Sequence, residues 1–220
     1  MSLSLLEVDS VQLSFEGRKI LSNVYLSCAT TEIVGLLGRN GAGKSSLLKI
    51  IFGSLKGESQ TVRLNKTYSP QLFRVPNAVH YMPQDGFVMD YFSFDDLINI
   101  FQLQAHLDKI FELKEIKKNR KKRVGSLSGG EKKLMEIITL LYSKSEFVIL
   151  DEPFSYLSPI LIEKLIPHLH YQAQTKGIIL TDHQYETVFQ ACNKYYVLNQ
   201  GIINQVQQVS ELAAFGYIRQ

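Results

Sequence analysis

The chain contains only two cysteines, Cys28 and Cys192, far apart and without metal-type spacing around either. They fit buried thiols in a reduced, intracellular protein better than a disulfide framework. No run of ~18 apolar residues occurs, so no helix is expected to cross a bilayer. If the protein acts at a membrane, another chain supplies the membrane part. The start, Met1 to Asp9, has neither a basic lead nor a long apolar stretch and does not read as a secretory signal. Excess charge is scarce as well: 24 Lys and Arg against 21 Asp and Glu leave +3. So small a surplus does not argue for nucleic acid as a partner, and none is expected. There are no internal repeats and no low-complexity segment.

What remains is the composition of an ordinary globular protein, 45% hydrophobic and 20% charged over 220 residues. Val11, Leu13 and Phe15 alternate with polar residues, as do Val24, Leu26 and Cys28, which predicts half-buried antiparallel strands. Ile33 to Leu37 is a short apolar run ending in a glycine-rich turn, and a helical stretch from Ser45 to Phe52 follows. Residues 61–84, interrupted by Pro70, Pro76 and Pro83, predict edge strand and loop. From Ser93 to about Tyr142 the periodicity is helical. The remainder returns to α/β: a strand at 147–150, a helix near 158–172, a strand at 177–181, another helix, and a strand at 195–198. The expected fold is a mostly parallel α/β sheet with an N-terminal antiparallel part and a helical insertion.

Gly38-Arg39-Asn40-Gly41-Ala42-Gly43-Lys44-Ser45, followed by Ser46, matches G-x-x-x-x-G-K-[ST] at every fixed position, after a strand and before a helix. The glycines let successive backbone N–H groups turn toward phosphate oxygens, and the helix N-terminus adds its positive dipole end. Lys44 then reaches the β- and γ-phosphates, while the Ser45 hydroxyl ligates Mg²⁺. The blander reading, a glycine-rich turn before an ordinary helix, is weak with both flanking elements in place.

Phe147 to Glu152 reads as a buried strand ending in two carboxylates. Such a pair costs several kcal/mol unless something nearby compensates it. A magnesium ion beside the glycine-rich loop would do so, because open α/β sheets gather ligands at their strand ends. Asp151 is the candidate to hold Mg²⁺ through water, and Glu152 to polarise an attacking water. Leu127-Ser128-Gly129-Gly130-Glu131 precedes an apolar helix, and Ser128 with Glu131 has the capping-box spacing. The two glycines beside that cap expose N–H groups, giving a second anion-seeking helix end. Two such ends in one chain point to a second copy completing each site.

The glycine-rich loop, the Leu127–Glu131 run, the Asp151–Glu152 pair and a histidine after the next strand resemble, in order and spacing, the ATP-binding cassette (ABC) ATPase family. The resemblance covers essentially the whole chain. It implies one domain over 1–220, with 1–84 and 145–220 as α/β core and 85–144 as helical subdomain. It implies ATP and Mg²⁺ as cofactors and ATP hydrolysis as the activity. Phe15 falls where the family stacks an aromatic on adenine, although by its own strand pattern it belongs in the core. Gln84, in Tyr81-Met82-Pro83-Gln84, matches the glutamine that senses Mg²⁺ and the γ-phosphate. His183, in Thr181-Asp182-His183, matches the histidine that contacts the γ-phosphate and the water. Ser128, Gly129 and Gly130 would bind the γ-phosphate of ATP held by a second protomer, either a second copy or a homologous ATPase subunit.

Phe87, Val88, Met89, Tyr91, Phe92 and Phe94 crowd large apolar side chains together after Gln84. In the family this region lines a groove for a short helix of the membrane subunit. Residues 86–94, Phe92 and Phe94 among them, are therefore the expected contact with a transmembrane permease subunit. The basic run Lys114 to Arg123 reads as a solvated face. Three positions depart from the family pattern. Ser158 replaces an aspartate that closes the loop after Glu152, which bears on coupling between sites. Leu134 and Thr139 stand where basic side chains are common.

The leading expectation is thus the nucleotide-binding, ATP-hydrolysing subunit of an ABC transporter, peripheral on the cytoplasmic face of the cell membrane. A soluble ABC ATPase, for instance one serving iron–sulfur assembly, and a non-enzymatic nucleotide-gated scaffold stay open. A P-loop kinase would need a phosphoryl-acceptor site, whereas Glu152 argues for water.

Overall fold

The computed structural model describes residues 3–216. The chain begins with β1 (Leu5–Phe15) and β2 (Arg18–Ala29), then β3 (Ile33–Leu37) and α1 (Lys44–Phe52). Next come β4 (Ser59–Leu64), β5 (Thr67–Tyr68) and β6 (Val79–Met82). Four helices follow: α2 (Phe94–Ile100), α3 (Leu107–Ile110), α4 (Lys114–Asn119) and α5 (Gly129–Tyr142). The chain continues through β7 (Phe147–Asp151), α6 (Pro159–Gln172), β8 (Gly177–Thr181), α7 (Tyr185–Ala191), β9 (Lys194–Asn199) and β10 (Ile202–Val206).

The strands form two sheets. One is antiparallel, in the order β2-β1-β4-β5; the other runs β10-β9-β3-β8-β7-β6 and is parallel except for the β9–β10 pair. Glu16-Gly17, Asn65-Lys66 and Gln200-Gly201 all have positive φ at both residues and close two-residue hairpins. Such turns match the right-handed strand twist, which is why they recur at all three hairpins. In β3, β7 and β8 every residue is buried, as apolar runs covered on both faces require.

The period of two assigns those buried residues to two cores. Val34, Leu36, Phe147, Ile149 and Ile179 face α1 and the antiparallel sheet. Ile33, Leu37, Val148, Leu150, Ile178 and Leu180 face α5, α6 and the helical insertion. The layering is therefore antiparallel sheet and α1, then parallel sheet, then helices. Its C-terminal strand edges gather the ends of β3, β6, β7 and β8 on one side.

The insertion is helical as expected but built from short pieces, and only α5 is longer than seven residues. Ser93–Asp96 at α2 and Ser128–Glu131 at α5 both form reciprocal capping boxes. Strand β10 was not among the sequence expectations; Gly201 and the Ile202–Ile203 pair were its only signals. Phe94 corrects one expectation. It is the first residue of α2, is 0% exposed and packs in the same core cluster as Leu97 and Ile98, so it is not a partner contact.

Candidate nucleotide-binding and hydrolytic site

Chain direction alone brings the expected residues together. Residues 38–43 join the end of β3 to the start of α1, with Gly41 and Gly43 at φ 77° and 103°. Lys44 is 5% exposed and its Nζ donates to the carbonyl of Gly38 at 2.8 Å and of Arg39 at 3.4 Å. The amine therefore sits inside the loop that would wrap a phosphate chain. Burial pushes its pKa down, and the Glu152, Asp151 and Asp182 carboxylates push it back up. A cleft of about 450 Å³ opens beside it, lined by Phe15, Ile20, Asn40, Gly41, Gly43, Lys44, Ser45, Ser46, Gln84, Glu152 and His183. Phe15 is 49% exposed at the cleft, not in the core.

Asp151 is 1% exposed and is satisfied by two hydroxyls: Thr181 Oγ1 donates to Oδ1 at 2.8 Å, and Tyr81 donates to Oδ2 at 3.2 Å. Burial, reinforced by the Asp151 charge, raises the Tyr81 phenol, so it stays a donor. Thr181 Oγ1 also accepts from the Glu152 N–H at 3.0 Å, fixing the strand end from which both carboxylates project. Glu152 itself has φ 49°, a left-handed value that is uncommon outside glycine and concentrates at functional sites. Its Oε2 accepts from Gln84 Nε2 at 2.8 Å and from Ser155 Oγ at 3.3 Å.

His183 stands at the rim with its side chain half exposed, Nδ1 3.5 Å from Asp182 Oδ1. Asp182 is fully buried and accepts the backbone N–H groups of His183 (2.8 Å), Gln184 (3.0 Å) and Phe154 (3.3 Å). It ties the histidine loop to the segment after Glu152. Tyr81, Thr181 and Asp182 were missed as site residues by sequence reasoning. Tyr81, Thr181 and Asp182 all lie within the short runs quoted there, but no local spacing signals their contacts.

Ser45 and Gln84 line the cleft with a hydroxyl and a side-chain amide, oxygen donors that suit a small hard cation; Asp151, buried and held by Thr181 and Tyr81, does not line it. Ser128, Gly129 and Gly130 do not line this cleft. They open α5, where a Cβ on Gly130 would come within 2.8 Å of the Tyr156 carbonyl, so only glycine permits the approach of the 155–158 loop. The remaining candidates, Gly38, Arg39 and Ala42, belong to the loop backbone. Arg39 Nη2 donates to the Gly216 carbonyl at 2.6 Å and turns away from the cleft.

Comparison with known proteins places this arrangement. The ABC transporter family profile matches residues 21–155. The lipopolysaccharide export system ATP-binding protein LptB of Escherichia coli (strain K12) is 30% identical over 204 residues, covering 86% of this chain and 84% of that protein. A probable ABC transporter ATP-binding protein of Azorhizobium caulinodans is 31% identical over 205 residues, covering 86% of this chain and 72% of the relative. Among solved structures, an ATP-binding subunit of an ABC transporter superposes with a TM-score of 0.83 at 21% identity, over 98% of this chain and 95% of the other. A nucleotide-free ATP-binding cassette gives 0.81 at 19% identity, over 98% and 96%. At those identities the structures establish the fold.

Proposed function

The chain belongs to the ABC transporter family as an ATP-binding subunit, and from that premise we propose that it hydrolyses MgATP to ADP and phosphate to drive transport through separate transmembrane subunits. One observation carries the hydrolytic part. The Glu152 carboxylate is held at the cleft by Gln84 and Ser155, opposite a loop whose buried lysine would bind phosphate.

In this reading Phe15 stacks on the base, and the N–H groups of residues 38–46 with Lys44 hold the β- and γ-phosphates. Ser45 and Gln84 would hold Mg²⁺, with Asp151 acting through water, and the ion when bound would neutralise charge on the β- and γ-phosphate oxygens. Glu152 takes a proton from water as the water oxygen bonds to the γ-phosphorus and the bond to the ADP oxygen breaks. His183 hydrogen-bonds the γ-phosphate and that water. Because the Gln84 amide gives its N–H₂ to Glu152, its oxygen would be left for the cation, and one side chain would serve both base and metal. Residues 1–84 and 145–220 form the nucleotide-handling part, and 85–144 the helical part; the strands of both sheets lie outside 85–144.

Ser128–Gly130 do not line the chain's own cleft, which supports their use by a second copy in an ATP-bridged pair. Met89 and Tyr91, 58% and 60% exposed, with Phe92 packed against Tyr91 at 4.5 Å, form the apolar surface proposed for the transmembrane subunit. That docking would place the protein peripherally on the cytoplasmic face of the membrane. Glu152→Gln tests the reading. The amide cannot accept the proton, so turnover should fall by at least ~10²-fold while ATP affinity is kept. Turnover within a factor of a few of the parent would remove Glu152 as the base.

A further inference from the structure

Helix α5 carries two charged side chains that are nearly fully buried, Lys133 at 4% and Glu136 at 2% exposure. Three residues apart, they share one helix face. Both are directed at the backbone of the segment after β6. Lys133 Nζ donates to the Gln84 carbonyl at 2.8 Å. Glu136 Oε1 accepts the N–H groups of Phe87 and Val88, both at 2.9 Å. Between these anchors Gly86 has φ 82°, and a Cβ there would lie 2.5 Å from both Glu136 carboxylate oxygens. The carboxylate therefore packs against a position only glycine can fill.

Burying two ions costs several kcal/mol each, and similarly shaped apolar residues often hold a core as well. Apolar residues could not hydrogen-bond this loop, however. The consequence of the three anchors lies in the side chain of Gln84 itself. With its carbonyl pinned, Gln84 presents Nε2 to Glu152 at 2.8 Å.

We propose that Lys133 and Glu136 are positioning residues that clamp backbone 84–88 to helix α5 and so aim the Gln84 amide at the Glu152 carboxylate. The effect on turnover rests on the reading of Glu152 as the base; the clamp itself does not.

The test uses the full chain carrying Glu136→Ala, Glu136→Gln or Lys133→Met, each alone and combined with Gln84→Ala. Glu136→Ala should lower kcat by at least about 10-fold and up to ~10²-fold, with ATP affinity within about two-fold, as expected for lost alignment and not lost ground-state binding. Glu136→Gln should recover most of that loss, because its amide oxygen still accepts from Phe87 and Val88. In the Gln84→Ala background, Glu136→Ala and Lys133→Met should cost little more, since the group they aim is gone. Equal fold-losses in both backgrounds would overturn the proposal. Amide exchange at Phe87 and Val88 gives a second measurement that needs no turnover. It should speed up in Glu136→Ala and stay slow in Glu136→Gln; exchange unchanged by Glu136→Ala would overturn the clamp. If the parent protein turns over no ATP, the hydrolytic reading falls and exchange alone decides the clamp. If Glu136→Ala does not fold, Glu136→Gln and Lys133→Met carry the same comparison.

Discussion

Phe15 ends a strand in which Leu6, Val8, Val11 and Leu13 are buried, and by that alternation its ring belongs in the core. It is half exposed instead, because the hairpin turn at Glu16-Gly17 follows at once and leaves the ring at the cleft beside Ile20. An exposed aromatic face next to a phosphate loop is a surface for a purine to stack on. Removing it takes away binding that ground state and transition state share equally. Phe15→Ala should weaken ATP binding by about 1–2 kcal/mol and leave kcat nearly intact. Stacking is largely indifferent to the base, so GTP should bind the parent as well. Equilibrium titration with a fluorescent nucleotide reads the difference; unchanged affinity would remove the stacking role.

At the level of elements, sequence and structure agree where the signal is local. The runs Ile33–Leu37, Phe147–Asp151 and Gly177–Thr181 are strands because unbroken apolar residues between turns fit a sheet covered on both faces. The 38–45 loop and the Asp151–Glu152 pair could be singled out as candidates because their proposed chemistry lies in adjacent residues. Contacts between distant segments were not legible. Lys133 and Glu136 look like ordinary helix charges until α5 packs on a loop 48–49 positions away. Phe94 was expected at the partner groove because the resemblance assigns the whole 86–94 run to it; the structure instead makes it the first residue of α2, after the cap at Ser93, and buries it. Lys176 is another such case. It is 8% exposed, and its Nζ donates to the Ser143 and Ser145 carbonyls just past the C-terminus of α5. Burial brings its pKa down to about 8 from 10.5. Between those values the unfolded chain binds the proton and the folded one does not, so stability should rise with pH there, by up to ~3 kcal/mol. Urea unfolding of the parent and of Lys176→Met across that window should show the rise in the parent alone. Parallel curves would mean the buried amine keeps an ordinary pKa.

At the scale of the whole molecule, the phosphate loop and the Ser128–Gly130 helix end are both formed, yet they do not share a cleft within the chain. Against the helix end lies segment 155–158, where Tyr156 is 78% exposed with φ 67° and approaches Gly129 and Gly130. In an ATP-bridged pair this segment would cross to the other copy. It ends in Ser158, which replaces the family's aspartate and serves here as the N-cap of α6, its Oγ accepting from Leu161 N–H at 3.4 Å. Serine and aspartate cap helices about equally well, and a negative charge is favourable at a helix N-terminus. Ser158→Asp should therefore leave the fold and its stability essentially unchanged, so any functional effect reports on the crossing. A charge-assisted hydrogen bond is worth about 1.5–3 kcal/mol against about 1 for a neutral one. With serine, communication between two sites should be weak, and basal turnover slow and poorly cooperative. Restoring the carboxylate should raise turnover or its Hill coefficient, with ATP affinity little changed. Steady-state ATPase titrations of the two proteins, alone and with the transmembrane partner, measure this directly. Superimposable curves would mean that position 158 acts only as a helix cap and the loop communicates through its backbone.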